Sequence, residues 1–489
     1  MIAINKTNLL IGKLVLTIII ATLSINFCYS QSKREFFSSD SLSTYIKKSI
    51  KYWNVKNCGI VVVKDGKTIL KKGFSSKTFF KFKNNTQFPL ASVSKHFTSL
   101  ALLKILKEKN IALDEKIYKY VKNKSVKKSS IISDLSFKDL LNHNTKLTKN
   151  EGDFLLLESD FDNNEILEKV YTIQSNRGKS YAYHNTGYVL AGTLIENLTG
   201  LKYNDYISEK FFKVIGMQST ITSFDDYSSS LNKVQPYYGK IDESIKTTNT
   251  NSDNFTSTGG IYSTLDDMEL WIKYLLKNKE IVERNKDTVF RQKGVNPYHY
   301  VSDVFYQLGL MTQVYSHKRI FSHYGGLPGI TTAFHVIPNT NSGFFLVCNK
   351  DNSYLPLLIS LEILDAMLEL PYRNYTTAFK GYYRDLEQKK DTLNSRANTT
   401  QKLNTLIGTY INDIYGEMYM KNEDNNILLS FEHHPNLTAK LSYKEENKLI
   451  FKSNSLMLPK VLIELTNSDK SLSISFFSSD PHKYVFKKK

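Results

Sequence analysis

The stretch "PLASVSKHFTSLALLKILKEKN", residues 89–110, places Ser92 and Lys95 at the head of a run that is apolar on nearly every face between Phe97 and Leu106. A helix of that kind belongs in the middle of a domain, not on its surface. S-V-S-K itself has two readings. The serine is an N-cap followed by a solvated lysine, or it is a nucleophile with its proton acceptor. Ser92 and Lys95 sit one turn apart, so Nζ can reach Oγ. A helix start favours developing negative charge, and a lysine in apolar surroundings has a lowered pKa and can serve as a base. The string alone does not choose between them. S-x-x-K recurs at Ser125–Lys128 and Ser230–Lys233, and neither copy opens an apolar helix.

On either side of this helix the pattern is layered. "CGIVVVKDGKTILKKGF" reads as a hairpin turning at Asp65-Gly66. Residues 130–280 are mostly helical, with a helix in "YVLAGTLIENLTG" ending at Gly200 and another in "STLDDMELWIKYLL" opened by a capping box from Ser263 or Thr264 to Asp266 or Asp267. Strands return in "ITTAFHVIP" and "SGFFLVCNK". Hairpin, helical middle and closing strands sharing one sheet define an α/β or α+β layered domain. Residues 377–402 are polar and read as a connecting helix and linker. From Leu403 onward, short strands and turns predict a small antiparallel barrel over 403–489.

Forty-one per cent hydrophobic residues in 489 is globular composition with room for two or three domains. Lys6 and Lys13 precede an apolar stretch, Leu14 to Ile25, followed by small residues at Cys28 and Ser30. This is the pattern of a signal peptide over residues 1–30, which predicts export to a periplasmic, cell-envelope or secreted location. Phe27 stands where a lipoprotein signal needs a small residue, which argues against a lipid anchor. The formal charge of +18 reads first as a Lys- and Asn-rich composition on solvated surfaces, with contact with an anionic envelope or membrane surface as the alternative. The lysines are scattered with no binding motif, so no nucleic-acid partner is expected. Cys58 and Cys348 in the mature part form no disulfide framework, and no metal-ligand spacing is present.

Two further strings carry chemistry. Tyr183-His184-Asn185 lies in a loop just ahead of a helix, a usual place for a catalytic group. His323-Tyr324-Gly325-Gly326 is read as preceding a strand, where glycines let a substrate approach the strand edge. Ser92-x-x-Lys95, Tyr183-x-Asn185 and His323-x-Gly325, in that order, resemble the serine β-lactamase and penicillin-binding-protein superfamily. The Tyr and His forms point to its class C-type branch of β-lactamase-related hydrolases. "LSFKDLLNHNTKL" (135–147) and "GGIYSTLDDM" (259–268) also resemble that branch. The likeness covers roughly residues 37–372, and residues 403–489 look like the barrel often appended to these enzymes.

The resemblance implies a β-lactamase-like domain over residues 31–376. In it Ser92 is the acylated nucleophile, and Lys95 and Tyr183 share the base and acid roles. Asn185 holds the substrate amide, and His323 supports Tyr183 and the substrate's polar end. The backbone N–H groups of Ser92 and Gly326, just past Gly325, form the oxyanion hole. No cofactor or metal is expected. The substrate is a small molecule or peptide: a D-amino-acid peptide, a peptidoglycan stem, a β-lactam or an ester. A histidine at 323 in place of lysine favours a peptidase, amidase or esterase over an efficient β-lactamase. Lys146 and Arg177 depart from the family's usual residues in loops. His143 is expected to be structural. The family's sheet also sets the strand starting near Cys58 beside the one ending near Cys348, which makes a Cys58–Cys348 disulfide a candidate against two free thiols. The competing reading from another class is a catalytically silent protein that uses the fold to bind peptides or cell-wall fragments.

Overall fold

Asp65 and Gly66 both hold left-handed backbone, with φ of 51° and 75°, and the hairpin they close begins the central sheet. The structure is a computed structural model. It describes residues 38–489 apart from 77–80, 174–177, 284–300, 352, 391–402, 425, 446–447, 459, 467–470 and 478–481. The signal-peptide reading, Arg177 and the second half of the linker lie outside the described residues.

Helix α1 (Ser39–Tyr52) leads into β1 (Asn57–Lys64) and β2 (Lys67–Ser75), and then comes α2 (Ser94–Glu108). The helical middle contains α3 (Thr186–Thr199) and α4 (Leu265–Lys277). Five strands follow: β3 (Val301–Gln307), β4 (Leu310–Tyr315), β5 (Lys318–Leu327), β6 (Ile330–Ile337) and β7 (Ser342–Cys348). Helices α5 (Leu355–Met367) and α6 (Lys380–Lys390) complete the first part. The antiparallel sheet runs β2-β1-β7-β6-β5-β4-β3. Its two faces follow from strand alternation. Val61, Val63, Phe345 and Val347 look towards α2, α3 and α4, while Ile60, Val62, Phe344 and Leu346 look towards α1 and α5.

Helix α2 is buried as its composition demands, from Ser94 through Leu102 and again at Ile105 and Leu106. Phe97 stacks on Trp271 of α4 with centroids 4.3 Å apart. Burying a side chain of that size contributes about 1.5–3 kcal/mol. Helix α3 stops at Gly200, whose φ of 76° supplies the left-handed cap. The capping box expected at α4 is only half present. Thr264 accepts from the Asp267 N–H, but the Asp267 carboxylate turns instead to the Ser219 N–H and the Thr220 hydroxyl.

His323–Gly326 does not precede a strand but lies within β5, and β3 and β4 were not anticipated. Polar residues in β3 and β4 hide their alternation.

The second part is a closed barrel of eight antiparallel strands: β8 (Gly408–Asn412), β9 (Gly416–Glu423), β10 (Asn426–Phe431), β11 (His434–Glu445), β12 (Lys448–Ser453), β13 (Lys460–Leu465), β14 (Ser471–Ser475) and β15 (Tyr484–Lys488). Tyr410 pairs with Lys488 to close it.

Cys58 and Cys348 do stand opposite each other in the β1–β7 register, but both are free, buried thiols. The disulfide candidate is therefore corrected. Burial, and then the neighbouring Cys58 thiol, push the Cys348 thiol up, which leaves it unreactive.

Candidate active site

Ser92 does not cap helix α2. It sits in a 3-10 turn, Ala91–Val93, ahead of the helix, and the cap position belongs to Val93, with no side-chain cap bond at either. Ala91 holds left-handed backbone at φ 50°, a strained state for a residue with a Cβ and a recurrent companion of functional sites. With capping set aside, the Ser92 hydroxyl faces other partners.

Lys95, fully buried, donates from Nζ to Ser92 Oγ (3.1 Å), Asn185 Oδ1 (2.8 Å) and the Thr258 carbonyl (3.1 Å). Burial lowers its pKa to about 7 against the opposing pull of the Asp153 carboxylate. Its ammonium lies 5.0 Å from the Tyr183 ring centroid. Tyr183 comes from the loop before α3 and is half-buried beside Lys95. Desolvation raises its pKa well above the usual phenol range, an effect that the nearby Ser92 side chain only partly offsets. The decoy motifs contrast with this. Lys233 reaches only the Ser230 carbonyl, and the Ser125 N–H is used by the Asn123 cap.

Asn185 is engaged at both ends. Its Oδ1 accepts from Lys95, while its Nδ2 donates to Asp153 at 2.8 Å. In the structure its side chain thus joins a lysine to a carboxylate rather than pointing an amide at open space. His323 is buried on β5. Its Nδ1 donates to the Tyr324 carbonyl (2.6 Å), which leaves Nε2 to accept from the Tyr306 hydroxyl (3.1 Å). Burial, then the nearby Lys95, pushes His323 down to about 3, so the ring is neutral. It meets Tyr183 only ring to ring, at 6.5 Å between centroids. Tyr306, on β3, and Asp153 were not singled out in the sequence. A tyrosine among 31 carries no local signal. His143 is buried beneath the site, its ring 4.5 Å from Tyr183 and 4.6 Å from Tyr306.

Gly325 and Gly326 differ. A Cβ on Gly325 would lie 2.3 Å from Thr332 Oγ1 and 2.6 Å from the Leu90 carbonyl oxygen, so its absence lets β5 press onto the turn carrying Ser92. Gly326 is exposed, with nothing within 4 Å of its Cβ position. Gly325→Ala is expected to cost about 1–3 kcal/mol and to slow acylation of Ser92 about 100-fold. A melting curve and the rate of active-site labelling measure the two effects; a wild-type labelling rate would refute the role given to this contact.

A cavity of about 590 Å³ opens beside β5, at Pro328, two residues past Gly326. Glu158, Asp160 and Asp253 line it on the hydrolase side, and Asn436 and Leu456 on the barrel side; among the described residues that line it there is no lysine or arginine, and Ser92, Lys95 and Tyr183 are not among them. Among the described residues no cluster of His, Cys, Asp or Glu could hold a metal ion, and no helix is long and apolar enough to cross a membrane.

An antiparallel sheet between helical layers, with a serine, a lysine and a tyrosine converging beside β5, defines the class of the serine β-lactamases and penicillin-binding proteins. Residues 52–359 match the family described as Beta-lactamase, and the chain belongs to that family of serine hydrolases. It is similar to Protein flp of Staphylococcus aureus (strain MW2), 23% identical over 368 residues that cover 71% of this chain and 70% of that protein. Among solved structures, the octameric penicillin-binding protein homologue from Pyrococcus abyssi superposes with a TM-score of 0.58 at 18% identity, covering 92% of this chain and 99% of that one. D-amino acid amidase from Ochrobactrum anthropi superposes at 0.54 with 20% identity, over 67% of this chain and 97% of that one.

Proposed function

We propose that the protein is an exported hydrolase that opens amide or ester bonds through an acyl-enzyme on Ser92. The observation that carries this is the convergence at Ser92, where the buried Lys95 donates from Nζ to the serine hydroxyl and also lies 5.0 Å from the half-buried Tyr183 ring. Their pKa directions separate the roles. Lys95, near 7, is neutral in an appreciable fraction of molecules at physiological pH and takes the serine proton. Tyr183 keeps its own proton and passes it on to the leaving group. The bond from Ser92 Oγ to the carbonyl carbon forms as the C–N or C–O bond breaks, and water then releases the acid. The Ser92 and Gly326 N–H groups take the developing oxyanion, and exposed Gly326 leaves that position open.

Substrate choice follows from charge. His323 is neutral and engaged by Tyr306 and Tyr324, so it offers no cation to a β-lactam carboxylate. That absence of a fixed cation suits an uncharged substrate. D-amino acid amides and short D-amino-acid peptides fit best, in keeping with the fold shared with a D-amino acid amidase. A panel of D- and L-amino acid p-nitroanilides, p-nitrophenyl esters and nitrocefin, run from pH 5 to 9, tests this. The expected result is faster turnover of D-aminoacyl anilides than of nitrocefin, with rates rising through about pH 7. Preferential nitrocefin turnover would overturn the substrate assignment.

A further inference from the structure

Asp153 lies in a short 3-10 turn, Asp153–Leu155, entered through Gly152 at φ 76°. Its carboxylate is buried and accepts three hydrogen bonds: the Asn185 N–H at 3.2 Å, Asn185 Nδ2 at 2.8 Å and Asn150 Nδ2 at 2.6 Å. By taking Nδ2, it fixes which end of the Asn185 amide faces Lys95. Its charge also acts on Lys95 directly, in the direction that favours the ammonium.

The same turn is gripped by the C-terminal barrel. The Phe154 ring stacks on His434 and on Phe476, each with centroids 3.9 Å apart. His434 Nδ1 donates to the Leu157 carbonyl at 2.9 Å. The Asp160 N–H donates to the His433 carbonyl at 3.1 Å, and the His433 ring meets the Asp160 carboxylate at 2.9 Å. On the other side of the turn, His482 approaches the buried Glu151 carboxylate at 2.8 Å. Barrel residues therefore hold the chain at 151, 154, 157 and 160, on both sides of Asp153.

We propose that Asp153 is a positioning residue that orients the Asn185 amide towards Lys95 and stabilises its ammonium, and that the barrel serves the hydrolase site by holding the Asp153 turn in place. The barrel is then part of the catalytic unit, joined to it through one carboxylate. This rests on the reading of Lys95 as the base that deprotonates Ser92.

The experiment uses the full-length protein and the second-order rate of labelling by a fluorescent fluorophosphonate between pH 5 and 9. Asp153→Asn is expected to slow labelling about 10- to 100-fold. The midpoint of its acid limb should fall by about one unit, because the anion that stabilised the Lys95 ammonium is gone. A slowed variant with an unmoved midpoint would reduce Asp153 to a structural residue and overturn the proposal. For the barrel, His434→Ala and Phe154→Leu are each compared with the wild type and combined with Asp153→Asn. If the barrel acts through Asp153, either change slows labelling and adds little in the double variant. Fully additive losses, or a barrel variant that labels at the wild-type rate, overturn the barrel's role. Phe154→Leu alters the hydrolase part but keeps an apolar plug, while His434→Ala alters the barrel alone, so a folding defect in one leaves the other to decide. Labelling that persists in Ser92→Ala would instead defeat the underlying site assignment, a separate outcome.

Discussion

Ser92→Ala is expected to retain the wild-type fold and to lose acyl transfer on the order of 10⁴-fold or more, the scale seen when a nucleophile is removed from a serine hydrolase. The side chain is small, lies in a 3-10 turn and caps no helix, so little stability depends on its hydroxyl. Its partners, Lys95 and Tyr183, keep each other's company and that of Asn185. Intact mass after incubation with a fluorophosphonate reads the result: one adduct on the wild type, none on the variant. An adduct that survives on Ser92→Ala refutes the nucleophile, and a folded wild type that takes no adduct refutes the enzyme. That second outcome would favour the silent binding protein that the sequence also allows.

Lys95→Met should slow acylation about 10³- to 10⁴-fold, because the serine proton loses its acceptor. It should also change how stability depends on pH. In the folded protein burial holds Lys95 near 7, below its ordinary 10.5. Between those values the unfolded chain binds a proton that the folded chain lacks, so this residue makes stability rise with pH across that window. Below about 7 both states hold the proton and the contribution is flat. Urea midpoints of wild type and Lys95→Met at pH 6.5 and pH 9 test this: the wild type should gain relative to the variant at the higher pH. Parallel curves would mean that Lys95 is charged in the folded protein and is not poised as a base.

Much of the site could be read from the chain because its catalytic strings are local. Ser92 with Lys95, and Tyr183 with Asn185, are each close enough in sequence for one turn or loop to bring them together, and their order along the chain is specific. The barrel strands were legible for the same reason, since alternation is a short-range pattern. The unread parts depend on distance. Tyr306 acquires meaning only when β3 and β4 fold against β5 and bring its hydroxyl to His323. Asp153 looks like any loop aspartate until Asn185 folds over it. The contacts by which the barrel grips its turn, His433 to Asp160 and His434 to Leu157, span 273 and 277 residues. The family's sheet implied the Cys58–Cys348 register, and it is observed, but a shared register leaves open whether two facing thiols are bridged or free, and here they are free.

The pairing of β1 with β7 also sets a timetable. As the chain is made from its N-terminus, the hairpin of β1 and β2 must wait for the strand ending at Cys348 before its inner edge is covered. Contacts so distant along the chain make for slow folding and leave apolar strands unprotected meanwhile. The grip on the Asp153 turn comes later still, after β11 and the segment around Phe476 exist. A ribosome that stops before the barrel would leave the sheet with its helices but without the His434 and Phe476 contacts on Phe154, so the Asp153 turn receives its last support only when synthesis is all but finished.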